Sequence, residues 1–305
     1  MNENNYKINW ELILKREIDY LSKKFPDLDV KNNYQNIIDL LNNNKIKYKI
    51  MLNKNDFIGY AYIMDSVEKS DRLYADIGFI SSKKINEVRL KEFFDWIADI
   101  AKKSGKKLML NPVFNGNDLT EKYLENIGFK KIVRKRMVID LNEYKYNSIE
   151  INYNISGIKD INEDLYADAE YESFKYTPDK ILFSNKREDR LKSVHGLFDG
   201  EYGEILNEAS LIIKNKGRII AALISAQLGF DRAFIVSLFV KREYRKKGIG
   251  KYLLLSALNR LKALSFHYVF LWVNNENFAK DFYLKNGFRL DNYPEEIIYY
   301  LNYKK

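Results

Sequence analysis

The chain has 305 residues, 46% hydrophobic and 30% charged, which is ample for two globular domains and excludes a disordered chain. It has no cysteine, excluding disulfides, thiolate metal sites and a cysteine nucleophile, and its two histidines, His195 and His267, are too few for a histidine-rich metal centre. The formal net charge of +9 leaves two readings open: a lysine-rich solubilising surface, or an anionic partner such as a phosphate compound or nucleic acid.

The amino terminus, MNENNYKINWEL, is polar. No run reaches the roughly 18–20 apolar residues of a membrane span, so the expectation is a cytoplasmic protein that does not enter the membrane. KYKIMLNKNDFIGYAYIMDSV (47–67) reads as two strands about the turn NKND, and RLYADIGFI (72–80) as a third. VRLKEFFDWIADIAKKSG (88–105) is an amphipathic helix ending at a glycine, KLMLNPV (107–113) a strand, and DLTEKYLENIGF (118–129) a helix ending in Gly128-Phe129. KRMVIDL (135–141) closes this set, and the polar stretch NEYKYNSIE (142–150) reads as a linker.

The second half repeats the order. Residues 161–205 read as helical segments rich in aromatics, among them Tyr166, Tyr171, Phe174, Tyr176, Phe183, Phe198 and Tyr202. EASLIIKNKGRIIAALISAQLGF (208–230) gives two strands about NKG, and DRAFIVSLFV (231–240) a third. In GKYLLLSALNRLKALS (250–265) the period turns helical, with Leu253, Leu254, Ala257, Leu258 and Leu261 on one face. HYVFLWV (267–273) is a strand, NFAKDFYLKNGF (277–288) a helix closed by Gly287, and EEIIYYL (295–301) a last strand. Gly128-Phe129 and Gly287-Phe288 lie 159 residues apart, which with the shared order predicts a duplicated α+β domain: 1–145 and 146–305, each a mixed, mostly antiparallel sheet flanked by helices.

The stretch VKREYRKKGIGKYLLL carries the chemistry. A strand enters a basic turn that opens a helix, whose first N–H groups and dipole form an anion site. Gly248 and Gly250 let a phosphate approach the backbone, and Arg245, Lys246, Lys247 and Lys251 add positive charge. A Walker-type phosphate loop would need GxxxxGK followed by Ser or Thr, and a dinucleotide fold would need GxGxxG; neither occurs here. A nucleic-acid surface would interleave aromatics over a longer basic tract, which argues against that partner. The alternative is that both glycines merely ease a tight turn.

Arg245-Lys246-Lys247-Gly248-Ile249-Gly250, with Val240 five residues ahead, resembles the R/Q-x-x-G-x-G/A element of the GCN5-related N-acetyltransferase (GNAT) superfamily. Ala279, Tyr283, Gly287 and Phe288 resemble its A-x-x-x-Y-x-x-x-G-F element. The resemblance covers about 150–305 and implies two strands, 233–240 and 267–273, that splay around acetyl-CoA as co-substrate. It implies pantothenate contacts at Leu238, Phe239 and Val240, and pyrophosphate contacts at Arg245 through Lys251, Ile249 among them. It further implies direct acetyl transfer to a primary amine of a small molecule or peptide N-terminus, with Tyr283 as general acid and no metal. A backbone N–H near Leu238 would polarise the thioester carbonyl. The family's orienting asparagine would be Asn277 after a one-residue deletion, since the usual spacing falls on Glu276. No motif selects the general base; Glu170, Glu172 and Glu208 are candidates, and His195 and His267 read as structural. A non-catalytic acyl-CoA-binding regulator is the alternative, against which Tyr283 counts. In the first half the turn's counterpart, Ile85–Leu90, has no glycine and carries Glu87, and Leu124 occupies the tyrosine position, so that half is expected to keep the fold without the site.

Overall fold

A computed structural model describes residues 8–54, 56–110, 118–159 and 161–302. Its elements run α1 (Trp10–Lys24), α2 (Val30–Asn42), β1 (Lys47–Asn53), β2 (Asp56–Asp65), β3 (Arg72–Phe79), α3 (Glu87–Ser104), β4 (Lys107–Leu110), α4 (Asp118–Asn126) and β5 (Lys130–Asp140). There follow β6 (Asn154–Ser156), α5 (Glu163–Phe174), α6 (Arg187–Phe198), β7 (Leu211–Asn215), β8 (Arg218–Gln227), β9 (Arg232–Val240), α7 (Ile249–Ala263), β10 (Tyr268–Asn274), α8 (Ala279–Lys285), β11 (Arg289–Leu290) and β12 (Glu296–Leu301). The predicted strand 107–113 is observed as β4; its end at 111–113, like Asn55 of the NKND turn and residues 1–7, lies outside the described residues. Helices α1 and α2 have no counterpart among the predicted elements. Their buried residues, Trp10, Leu14 and Leu21, then Val30, Tyr34, Ile38 and Leu41, follow helical spacing.

The chain forms two compact units, Met1–Ile132 with Glu296–Lys305, and Val133–Glu295. They differ from a division at 145/146 because the closing strand of each half belongs to the other half's unit. In the first unit the sheet order is β1-β2-β3-β4-β12, antiparallel except for β3 with β4. β12 pairs Tyr299 with Leu110 and Leu301 with Leu108, and Tyr299 is fully buried among Leu108, Leu110 and Leu124. Strand alternation splits the core between two faces. Ala61, Ile63, Leu73, Ala75 and Ile77 face α3, while Tyr60 and Tyr62 pack with Trp10, Tyr34 and Ile38 of α1 and α2.

In the second unit the order is β6-β7-β8-β9-β10-β5, with only β9 and β10 parallel. The sequence expectation that 135–141 closes the first half's sheet is corrected here. β5 pairs with β10 along seven residues, from Tyr268 opposite Asp140 to Asn274 opposite Arg134. Met137, Ile139 and Leu141 enter the core with Val269, Leu271 and α7, and this alternating apolar set decides the pairing. α7 buries Leu253, Leu254, Ala257, Leu258 and Leu261 completely, each leucine worth roughly 1.5–3 kcal/mol. α5 and α6 cover the opposite face through Tyr166, Ala167, Val194 and Leu197. The predicted NKG turn is a tight hairpin in which Lys216 and Gly217 both have positive φ, 48° and 75°.

Candidate active site

β9 and β10 pair only at Arg232–Phe234 with Tyr268–Phe270. Beyond that, β9 runs on to Val240 and β10 to Asn274 without pairing to each other, so the two parallel strands part as expected. On its other edge β9 stays paired with β8, but the register shifts: Ile224 faces Ser237 and Ser225 faces Ile235, leaving Val236 as an extra residue. This bulge bends β9 away from β10. After it, Leu238 and Val240 pack against the core beneath α7, whereas Phe239 points to the other face, edge-on to Tyr166 at 5.4 Å between ring centroids. Of the three predicted strand contacts, Phe239 can therefore serve through its main chain alone.

The basic turn follows. Lys246 and Gly248 are both left-handed, with φ of 60° and 79°. Two left-handed residues within three turn the chain sharply into α7, and only the second is a glycine. Gly248 occupies the N-cap of α7 and offers no side-chain cap. Tyr252 N–H is the first to bond back, to Gly248 O at 2.9 Å, so the amides of Ile249, Gly250 and Lys251 have no intrahelical acceptor. A Cβ on Gly250 would meet Val240 Cγ2 at 3.5 Å and Phe282 at 3.9 Å, ordinary contacts, so packing alone does not demand glycine there. Lys246, Lys247 and Lys251 are exposed, with Lys247 Nζ over the Tyr244 ring, while Ile249 is buried in the core. Arg245 does something the sequence did not show. Its Nε donates to Val240 O at 3.0 Å and its Nη2 to Ser173 O at 2.6 Å, tying the turn to β9 and α5. Burial lowers its pKa from the ordinary guanidinium value.

Tyr283 lies on α8, buried against Phe282 and Phe288, with Phe288 N–H bonded to its carbonyl across the Gly287 turn. Among the described residues no backbone carbonyl accepts from its hydroxyl. Burial, and secondarily the charge of Asp179, raises the phenol above its ordinary value. Asn277 is buried; its Oδ1 accepts from Ala279 N–H at 3.0 Å, capping α8, and its Nδ2 donates to Asp179. Asn274 at the end of β10 is buried too and accepts from Glu276 N–H at 3.0 Å. Sequence reasoning missed Asp179. Its only signal is TPDK, a proline opening a short turn at Pro178–Leu182.

The three carboxylates considered from sequence separate clearly. Glu172 is ion-paired with Lys175 on the surface, and Glu208 is exposed. Glu170 accepts from Ser237 Oγ at 2.6 Å and from Tyr166 Oη at 3.3 Å, which places it against the β9 bulge. Burial raises its carboxyl above the usual range, against the pull of those two donors. His195 is paired with Glu163, and His267 Nδ1 lies 3.4 Å from Asp231, both half exposed.

The counterpart turn in the first unit is closed by the protein itself. Asn86 Oδ1 accepts from Arg89 N–H at 3.0 Å and Glu87 fills the first turn of α3. Leu124, at the tyrosine position, is buried core. Among the described residues no cluster of three or more acidic, histidine or cysteine side chains could hold a metal, and no helix is long and apolar enough to cross a membrane.

Residues 167–288 match the acetyltransferase (GNAT) family model. No curated protein matches the chain. Among solved structures it is similar to a GCN5-related N-acetyltransferase of Sphaerobacter thermophilus, at 14% identity and TM-score 0.53 over 81% of this chain and 78% of that one. It is also similar to a functionally unknown conserved protein of Staphylococcus epidermidis, at 15% identity and TM-score 0.52 over 76% and 85%. A third is the GCN5-related glucosamine N-acetyltransferase region of a fungal multi-domain GH3 beta-N-acetylglucosaminidase, at 14% identity and TM-score 0.56 over 94% of this chain and 37% of that one. At these identities the likeness shows the fold alone. Residues 167–288, which hold the parted strands, the glycine turn and Tyr283, carry an acetyltransferase (GNAT) family domain.

Proposed function

We propose that the protein is an N-acetyltransferase that moves an acetyl group from acetyl-CoA to a primary amine of a small molecule or peptide. The observation that carries this reading is the uncapped N-terminus of α7 beside the parting of β9 and β10. Three free amides and three exposed lysines fit a pyrophosphate, and the unpaired edge of β9 fits an extended amide-bearing arm. Residues 245–251 would hold the phosphates, the main chain of Leu238, Phe239 and Val240 the pantetheine arm, and Asn277 the region around Tyr283. When bound, acetyl-CoA supplies the acetyl group as a thioester.

The protein's own part is positional and protonic. A Tyr283 hydroxyl with a raised pKa keeps its proton at neutral pH and can donate it to a departing sulfur. Glu170, held by Ser237 at the bulge, is the best placed of the three sequence candidates to take the amine's proton, because burial brings a carboxyl closer to neutrality. The first half, taken as 1–145 with 146–305 as the catalytic half, reads as a degenerate copy whose helix N-terminus is already occupied by Asn86 and Glu87.

Calorimetry with coenzyme A, followed by an acetyl-CoA consumption screen over amines, polyamines, amino acids and peptides, tests the reading. Absence of coenzyme binding sinks it. Binding without turnover on any acceptor, unaffected by Tyr283→Phe, would instead favour a non-catalytic acyl-CoA-binding regulator.

A further inference from the structure

Asp179 is a buried carboxylate, 9% exposed, in the turn that follows α5. Two amides meet it: Asn277 Nδ2 donates to Oδ2, and Asn274 supplies a second donor. Asn277 then passes the link onward, since its Oδ1 accepts from the N–H of Ala279, the first residue of α8, at 3.0 Å. Its own N–H bonds to Asn274 O at 2.9 Å, so the main chain and the side chain of Asn277 together pin the segment from β10 to α8. Tyr283 comes four residues after Ala279, about one helical turn. The carboxylate of Asp179 is thus joined to the helix that carries Tyr283 through a single amide.

We propose that Asp179 is a positioning residue for Tyr283: it orients Asn277, whose amide oxygen holds the first N–H of α8, and so sets where the helix that carries Tyr283 begins. This rests on the acetyltransferase reading for its catalytic consequence, though the linkage itself does not. Arg134 on β5 faces Asp179. On α8 itself Lys280 is bonded to Asn275 Oδ1 at 2.7 Å, and Asp281 and Lys285 are exposed. Lys251 of α7 is exposed, and β9 and β10 beyond their pairing, 235–240 and 271–274, contain no charged side chain.

Two substitutions separate the link from the charge. Asp179→Asn removes the charge and keeps an oxygen for Asn277 Nδ2; Asp179→Ala removes both. The readout is the fluorine NMR resonance of the full-length protein carrying 3-fluorotyrosine at position 283 alone, a marker of where that ring sits. Asp179→Ala should displace and broaden the resonance, whereas Asp179→Asn should leave it near its wild-type position. On turnover, Asp179→Ala should lower kcat about 10-fold and Asp179→Asn should recover most of the loss. An unmoved resonance in Asp179→Ala, or an equal displacement in Asp179→Asn, overturns the proposal. Should Asp179→Ala not fold, Asn277→Ala breaks the same link from its other side and is read the same way. The resonance needs neither coenzyme nor turnover, so a failure of coenzyme A binding would sink the acetyltransferase reading while leaving this test intact.

Discussion

Substituting Gly250 by alanine should raise stability and leave coenzyme binding in place. The glycine sits in the first turn of α7, and a Cβ there would lie 3.5 Å from Val240 Cγ2 and 3.9 Å from Phe282, with no clash. Replacing a helical glycine by alanine at a compatible site stabilises by about 0.5–1 kcal/mol. In a unit of this size that raises Tm by about 1–4 °C. The methyl group lies toward Val240 and Phe282, away from the amides of Ile249, Gly250 and Lys251, and the R/Q-x-x-G-x-G/A element accepts alanine at this position. Coenzyme A affinity should then stay within about threefold of wild type, or about 0.7 kcal/mol. Gly248→Ala is the contrast: at φ 79° an alanine is strained by about 1–2 kcal/mol, so Tm should drop. Thermal unfolding and coenzyme A calorimetry on the same preparations give both readings. A Gly250→Ala protein that no longer binds coenzyme A would refute this placement of the methyl group. A lowered Tm would refute the claim that the site admits a methyl group without a clash.

Arg245→Lys should destabilise by about 1.5–3 kcal/mol in urea unfolding, because one ammonium cannot reproduce the guanidinium fork that joins Val240 O and Ser173 O. Tyr283→Phe should reduce kcat by about 100-fold or more while calorimetric affinity for coenzyme A stays within about twofold of wild type, the mark of proton donation rather than binding. In the first unit, burial and then the facing Glu17 charge raise the Asp76 carboxyl well above its ordinary value. A raised carboxyl contributes stability that is full below the unfolded pKa and lost as pH rises through the folded one. Asp76→Asn should therefore be more stable than wild type at neutral pH, and urea midpoints should show that advantage shrinking as pH falls toward about 4.

Much of the fold was legible because burial imposes periods on the chain. Leu253, Leu254, Leu258 and Leu261 announce the buried face of α7, and all four are fully buried. Gly128 and Gly287 mark helix ends, and both adopt positive φ, 91° and 93°, which residues with a side chain rarely take up. Lys246 shows the limit: it is as left-handed as Gly248, but no glycine advertises it. Asp179 was invisible for a different reason. Its partners Asn274 and Asn277 are almost a hundred residues away, and a carboxylate in a proline-led turn looks like any surface acid until the chain folds around it.

The sequence by itself determined the local elements, the duplicated order and the glycine turn, because turn chemistry and apolar spacing act over a few residues. Only the tertiary structure decided which sheet each closing strand joins. KRMVIDL and EEIIYYL both alternate, and either sheet could accept either strand on pattern alone. The choice is made by cores assembled from distant segments: Met137 and Ile139 find Val269, Leu271 and α7, while Tyr299 finds Leu108, Leu110 and Leu124. The bulge at Val236, the capture of Arg245 by two carbonyls and the Asp179–Asn277 link arise the same way, from long-range pairings that no local pattern encodes.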